Sequence, residues 1–213
     1  FALIPDYAVL DPELTRGLPP MLTATTGMDA LTHAIEAYIG RSTTKLTRAM
    51  AEEAVTLIAK YLLRAYRDGQ DAEARTQMLQ AAYDAGIAFT RSYVGYVHGV
   101  AHSLGGQYGV PHGLANAVIL PYFLEEYGPS CHKALARLAR KAGIAEETSA
   151  DEPAARAFIA WVWEMNRAME IPSCIPEIRA AHIPALAAHA AKESNPLYPV
   201  PKLMDARELE TMY

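Results

Sequence analysis

The sequence predicts an all-α protein, a helical bundle or array preceded by a short extended N-terminal linker. Three observations carry this reading. Apolar residues recur at three- and four-residue steps through most of the chain, the spacing of one face of a helix. The 213 residues include 39 alanines, and alanine loses the least entropy in a helix and lets helix axes approach closely. Turn and capping residues fall mostly between the periodic runs.

Residues 1–20 read as an interdomain strand or linker stub, and residues 21–213 as the helical domain. Tyr7 to Leu10 form the one strand candidate, Asp11-Pro12 a turn, and Pro19-Pro20 a stiff approach to the helices. An isolated strand has no partner for its backbone, so it reads as belonging to something outside the chain. Thr25 or Thr26 is expected to cap a helix reaching Tyr38, with Met28, Leu31, Ile35 and Ile39 on one face and Gly40 as its stop. A long amphipathic helix follows from about Thr44 to Tyr66 and stops at Asp68-Gly69. A third covers about Ala72 to Thr90. The stretch from Gly95 to Gly113 is rich in Gly and His, with helical spacing in its first half. Further helices are expected at about Ala115–Glu126, His132–Ala142, Glu152–Met169, Ile183–Lys192 and Ala206–Met212, with a Pro-rich loop over Asn195–Pro201.

Composition excludes several classes. The net charge of −5 and pI near 5.8 give no basic footprint for nucleic acid. A 51% hydrophobic content is too high for a disordered chain, and no uninterrupted apolar run is long enough for a membrane span. Two cysteines, Cys131 and Cys174, do not make a disulfide scaffold. With no charged-then-apolar leader, the expected compartment is the cytoplasm. A chain that opens on Phe1 rather than Met is expected to be part of a longer protein.

Four of the seven histidines fall in two neighbouring patches. Asp29 and His33 stand four residues apart, as do His98 and His102, and each pair can share one helix face. His112 follows in Pro111-His112-Gly113. One carboxylate and up to four imidazoles suit a first-row divalent metal better than calcium or magnesium, which prefer more oxygen ligands. One carboxylate with three neutral imidazoles leaves a divalent site at about +1, suited to an anionic oxygen. A lone histidine on an apolar helix is more often a hydrogen-bonded core residue than a ligand, and His132, His182 and His189 are read that way. Six glycines between Gly95 and Gly113 imply close backbone approach, to a ligand or to a neighbouring helix. They form no G-x-G-x-x-G after a strand and no P-loop.

The run from Leu22 through Thr25-Thr26-Gly27-Met28-Asp29-Ala30-Leu31-Thr32-His33 to Tyr38 resembles a signature of the iron-containing alcohol dehydrogenases. Val97-His98-Gly99-Val100-Ala101-His102 through Pro111-His112-Gly113 to Ala117 resembles the other signature. Val9 to Thr15 is similar to the family's interdomain crossing, and Asn195-Pro196 to its C-terminal loop. The resemblance implies metal ligands at Asp29, His33, His98 and His112, with Fe(II) as the metal and Zn(II) as its substitute. It implies that His102 lies near the nicotinamide and helps relay the alcohol proton. The implied reaction is reversible hydride transfer between a small alcohol or aldehyde and NAD or NADP, the metal favouring the alkoxide. It also implies an N-terminal α/β nucleotide-binding domain absent from this chain, which leaves at most Leu14, Thr15 and Leu18 as cofactor contacts at the interdomain edge. A fragment without that domain is expected to have negligible activity of its own and to self-associate through its uncovered apolar face as a homo-oligomer.

The alternative is a non-catalytic helical metal-binding or interaction module that kept the ligands and lost the chemistry. A metal-dependent hydrolase would want a second carboxylate cluster, and metal-free reductases of the maleylacetate type would lack the full ligand set. Phe89, Tyr93, Tyr96 and Tyr108 are candidates for shaping the substrate space, and the Tyr198-Pro199-Val200-Pro201 loop is expected to pack rather than cover a cleft.

Overall fold

The structure is a computed structural model that describes residues 7–213. Among them are nine α-helices and no strand: α1 (Pro20–Ile39), α2 (Lys45–Arg67), α3 (Ala72–Ser92), α4 (Tyr96–Tyr108), α5 (His112–Tyr127), α6 (Pro129–Lys141), α7 (Asp151–Ala168), α8 (Ile183–Ser194) and α9 (Ala206–Glu210). The all-α class read from periodicity is therefore the observed one.

The ends of the helices follow local chemistry. Thr44 and Thr47 form a reciprocal box at the start of α2, the Thr47 N–H donating to Thr44 Oγ1 at 3.2 Å and the Thr44 N–H to Thr47 Oγ1 at 2.8 Å. Thr44→Ala is expected to lower stability by about 1 kcal/mol, read as a lower midpoint in urea unfolding with an unchanged slope. Asp71 caps α3 through the Ala74 N–H, and Asp205 with Glu208 boxes α9. Gly109, at φ 68°, closes α4 in a left-handed conformation.

Three expectations are corrected. Tyr7 to Leu10 form no strand; the segment is exposed and has no neighbouring strand to complete a ladder. Residues 1–6 of the expected linker lie outside the described residues. Asp11 caps a single 3₁₀ turn, Pro12–Thr15, with its carboxylate on the Glu13 N–H. The first long helix begins at Pro20, not at a Thr25 or Thr26 cap, because a proline at the first position needs no N–H partner. The hydroxyls of Thr25 and Thr26 instead bond back to the Met21 and Leu22 carbonyls inside the helix. α5 likewise starts at His112 rather than Ala115, which puts that histidine on the helix's first turn.

α1 is buried nearly all round and runs through the middle of the array, against α2, α3, α5 and α6. α4 packs on α5 and α8, α6 on α7, and α8 on α9. The main core cluster draws on all these helices, with Met28, Leu31 and Ile35 of α1, Leu104 of α4 and Phe123 of α5 fully buried, and a smaller one lies between α2 and α3 at Tyr61, Ala65 and Ala74. The Tyr198–Pro201 loop packs: Val200 is buried, and the Pro199 carbonyl accepts from the Arg41 N–H.

Candidate metal centre

Helical geometry places the side chains from the inside out. Asp29 and His33 lie one turn apart on α1, and the Asp29 Oδ2 to His33 Nε2 distance is 3.7 Å. α4 crosses this face and presents His98, whose Nε2 is 3.7 Å from Asp29 Oδ1. The first turn of α5 brings His112 Nε2 to 3.4 Å from the same oxygen. One ligand atom from each of the four residues lies within 4.8 Å of every other. A tetrahedron of bonds of about 2.1 Å spaces its corners by roughly 3.4 Å, and the three Asp29-to-histidine distances of 3.4–3.7 Å are close to that spacing.

Two further side chains, Glu36 and Asn116, contact this arrangement. His98 Nδ1 lies 2.6 Å from Glu36 Oε2; a carboxylate only accepts, so Nδ1 carries the hydrogen. His98 is 2% exposed, and its Nε2 has no hydrogen-bond partner. That buried, unpartnered nitrogen faces Asp29, and a cation between them would satisfy both. The Asn116 amide nitrogen donates to Asp29 Oδ1 at 2.6 Å and lies 3.0 Å from His112 Nε2. Neither Glu36 nor Asn116 stood out in the sequence as a functional residue. The signal for both was spacing: Glu36 is seven residues beyond Asp29, and Asn116 four beyond His112, so each repeats its helix face.

The electrostatics are mutual. Burial lowers the His33 pKa to about 3, helped by the neighbouring His98 charge, which keeps this imidazole neutral with a free lone pair. Burial also lowers His112, against the pull of Asp29. Burial opposes charge on His98 too, but the Glu36 and Asp29 carboxylates outweigh it and hold the imidazolium up to about 9. Burial would raise Asp29, yet the surrounding histidines keep it below its ordinary value.

His102 stands outside the four-residue group. Its side chain is 42% exposed, its ring stacks on His112 with centroids 5.3 Å apart, and its Nδ1 lies 2.6 Å from Glu193 Oε1. Tyr198 also donates its hydroxyl to that Glu193 oxygen. A recess of about 490 Å³ opens beside His102, lined also by Ser103, Gln107, His182 and His189. Phe89 stacks on His33 with centroids 4.0 Å apart. Tyr96 is buried in contacts with Asn195 and Met204, and Tyr108 pairs with His182, so neither is shown against the cluster; Tyr93 is exposed. Leu14 is exposed on the 3₁₀ turn, while Thr15 and Leu18 line a separate groove of about 150 Å³ with Thr23, Gly27 and Met78. Cys131 is buried, and burial pushes its thiol up to about 12, as for an inert packing residue.

The glycines divide by role. A Cβ on Gly95 would come within 2.6 Å of Glu36 Oε1, and one on Gly113 within 2.6 Å of the Thr25 carbonyl oxygen. One on Gly99 would overlap Ser194 Oγ. Gly106 and Gly109 face open space. The close approaches shown are helix against helix.

Comparison with known proteins bears on the same elements. Residues 23–213 match the model of the Fe-containing alcohol dehydrogenase family, C-terminal. Alcohol dehydrogenase 4 of Saccharomyces cerevisiae is 43% identical over 192 residues, covering 89% of this chain and 49% of that protein. The NADPH-dependent butanol dehydrogenase of Clostridium saccharobutylicum is 40% identical over 177 residues, covering 83% of this chain and 45% of that protein. Among solved structures, a 1,3-propanediol oxidoreductase has a TM-score of 0.90 at 36% identity, covering 95% of this chain and 53% of that one. The chain spans about half the length of the curated relatives it matches. The helical array superposes on about half of that oxidoreductase chain. The chain belongs to the Fe-containing alcohol dehydrogenase family.

Proposed function

We propose that this chain is the metal-binding catalytic domain of an NAD(P)-dependent alcohol dehydrogenase that interconverts a small alcohol and its aldehyde. Asp29, His33, His98 and His112 hold Fe(II) in this reading, with Zn(II) as the substitute in purified material. The observation that carries it is the buried, unpartnered His98 Nε2 facing Asp29 among donors at ligand spacing. Three imidazoles and one carboxylate are a donor set for a first-row divalent ion. Family membership supports the reaction class, and the names of the butanol and propanediol relatives support a small alcohol and a nicotinamide cofactor.

A divalent metal bound there supplies a Lewis acid to the substrate hydroxyl. The chain's own residues do the rest. Asp29 brings the negative charge that the imidazoles lack, and Asn116 holds its Oδ1. Glu193 Oε1 accepts a hydrogen bond from His102 Nδ1–H, which leaves Nε2 as the acceptor. In the oxidation direction His102 would take the hydroxyl proton and pass it to solvent, and a nicotinamide, when bound, would supply the hydride acceptor. Phe89, stacked on His33, keeps water from that flank of the cluster. The dinucleotide is held largely by an N-terminal α/β nucleotide-binding domain outside residues 23–213, with Leu14, Thr15 and Leu18 at its edge.

The test is an anaerobic assay of the Fe(II)-loaded chain alone and joined to that domain, following nicotinamide absorbance with primary alcohols. Turnover in the joined protein, its loss on chelation, and negligible turnover by the chain alone are expected. A joined protein that is metal-loaded yet inactive would leave the non-catalytic module as the better reading. Robust turnover by the 213-residue chain alone would refute the placement of the dinucleotide site.

A further inference from the structure

We infer that Glu36 is a positioning residue for the metal centre: it fixes His98 as an Nε2 donor and adds a buried carboxylate to the partly exposed Asp29. The inference rests on the metal reading above and deepens it. Glu36 lies three residues past His33 and seven past Asp29, so one face of α1 carries two proposed ligands and this carboxylate. Its side chain is 2% exposed. Oε2 accepts from His98 Nδ1 at 2.6 Å, and Oε1 accepts from the Val97 N–H at 2.9 Å. Among the described residues, its ion-pair partner is His98 and no lysine or arginine.

A carboxylate buried without a lysine or arginine is retained only where its hydrogen bonds compensate its desolvation. Here both bonds go to α4. Val97 is the second residue of that helix, where the N–H groups are unpaired within the helix and the dipole favours negative charge. The room for the carboxylate comes from Gly95, since a Cβ there would sit 2.6 Å from Oε1. The result at the other end of the imidazole is specific. With Nδ1 committed as a donor, the lone pair available to a metal is on Nε2, the nitrogen directed at Asp29. The second carboxylate also changes the site's charge: with a divalent ion in place of the His98 Nε2 proton, Asp29, Glu36, neutral imidazoles and the ion sum to zero rather than +1. A neutral ensemble carries a lower charging penalty in a buried place.

Zn(II) affinity, measured by competition with a chromophoric chelator, tests this in the full chain. Glu36→Gln keeps the side chain's volume but offers one acceptor oxygen to two N–H donors. The expected loss is about 10- to 100-fold in Zn(II) affinity. A purely structural tie between α1 and α4 would weaken binding by the same factor whether or not His98 is present. The same substitution is therefore made in a His98→Ala background, where the inference expects little further loss. Equal losses in both backgrounds, or a folded Glu36→Gln chain that binds Zn(II) as tightly as the parent, would overturn the inference and leave the metal reading standing. A parent chain that binds no Zn(II) or Fe(II) overturns both. If Glu36→Gln does not fold, Glu36→Asp, which retracts the carboxylate by one methylene, is read against the same outcomes.

Discussion

An Asp29→Ala chain is expected to lose the proposed metal while keeping its fold. Asp29 is the hub of the cluster: Oδ1 faces His98 at 3.7 Å and His112 at 3.4 Å, and Oδ2 faces His33 at 3.7 Å. It is the one carboxylate among the four proposed ligands. Only His98 of the four is fully buried, so removing the charged member forfeits at most the loss of about 3–5 kcal/mol seen for a buried pair, an upper limit of roughly two to three and a half orders of magnitude in affinity at ~1.4 kcal/mol per decade. Metal analysis after anaerobic loading with Fe(II) should show stoichiometric metal in the parent and almost none in the variant. The apoprotein should survive, because the Asp29 side chain is 22% exposed and the apolar face of α1 does not include it. Equal metal content in the two proteins would remove Asp29 from the ligand set and, with it, the proposed function.

The sequence carried the helical order and the chemistry of the centre unequally. Helices α2 and α3 were legible to within two residues, because their caps are side chains, Thr44 and Asp71, that act on their own first turns. The starts of α1 and α5 were read several residues late. Both open near a proline, at Pro20 and after Pro111, and the apolar periodicity that signals a helix begins only once the helix meets a neighbour. The i, i+4 pairs were visible because they lie within single helices. The pairing of α1 with α4 is a tertiary fact, so nothing local could show that Glu36 meets His98 or that Asn116 reaches Asp29 across from α5. The same limit applied to His98 and His102, which share a helix face by spacing. One turn inward, His98 is buried among carboxylates; one turn outward, His102 meets solvent and Glu193. What separates them is the neighbouring element: His98 meets Glu36 and Asp29 of α1, and His102 meets Glu193 of α8.

Gly113→Ala is expected to harm both stability and metal binding through one contact. Gly113 stands in the first turn of α5, and a Cβ there would lie 2.6 Å from the Thr25 carbonyl oxygen and 2.9 Å from its carbon. Both atoms are backbone of α1, so no side chain can swing aside. Reaching an ordinary separation near 3.4 Å moves one helix from the other by about 0.8 Å, and forcing such a shift in a packed interior costs about 1–3 kcal/mol. The same interface carries the centre. His112 is the neighbour of Gly113, and Asp29 lies one helical turn beyond Thr25. Separating the helices stretches the His112 to Asp29 distance from 3.4 Å and the Asn116 to Asp29 hydrogen bond from 2.6 Å. A metal site tolerates displacements of only ~0.5 Å before its geometry fails, so Zn(II) affinity should fall by at least about tenfold. Urea unfolding of the apoprotein and chelator competition read the two effects separately. Gly106→Ala is the matched comparison. Its added Cβ meets nothing within 4 Å, so it should leave affinity unchanged and, within α4, stabilise the helix by up to ~1 kcal/mol. If Gly113→Ala behaved like Gly106→Ala, the close approach of α1 and α5 would not be what sets the ligand spacing. The close approach of Gly113 to the Thr25 backbone, one residue from a proposed ligand, argues that the glycine after His112 lets α5 come near enough for its first-turn imidazole to stand 3.4 Å from Asp29.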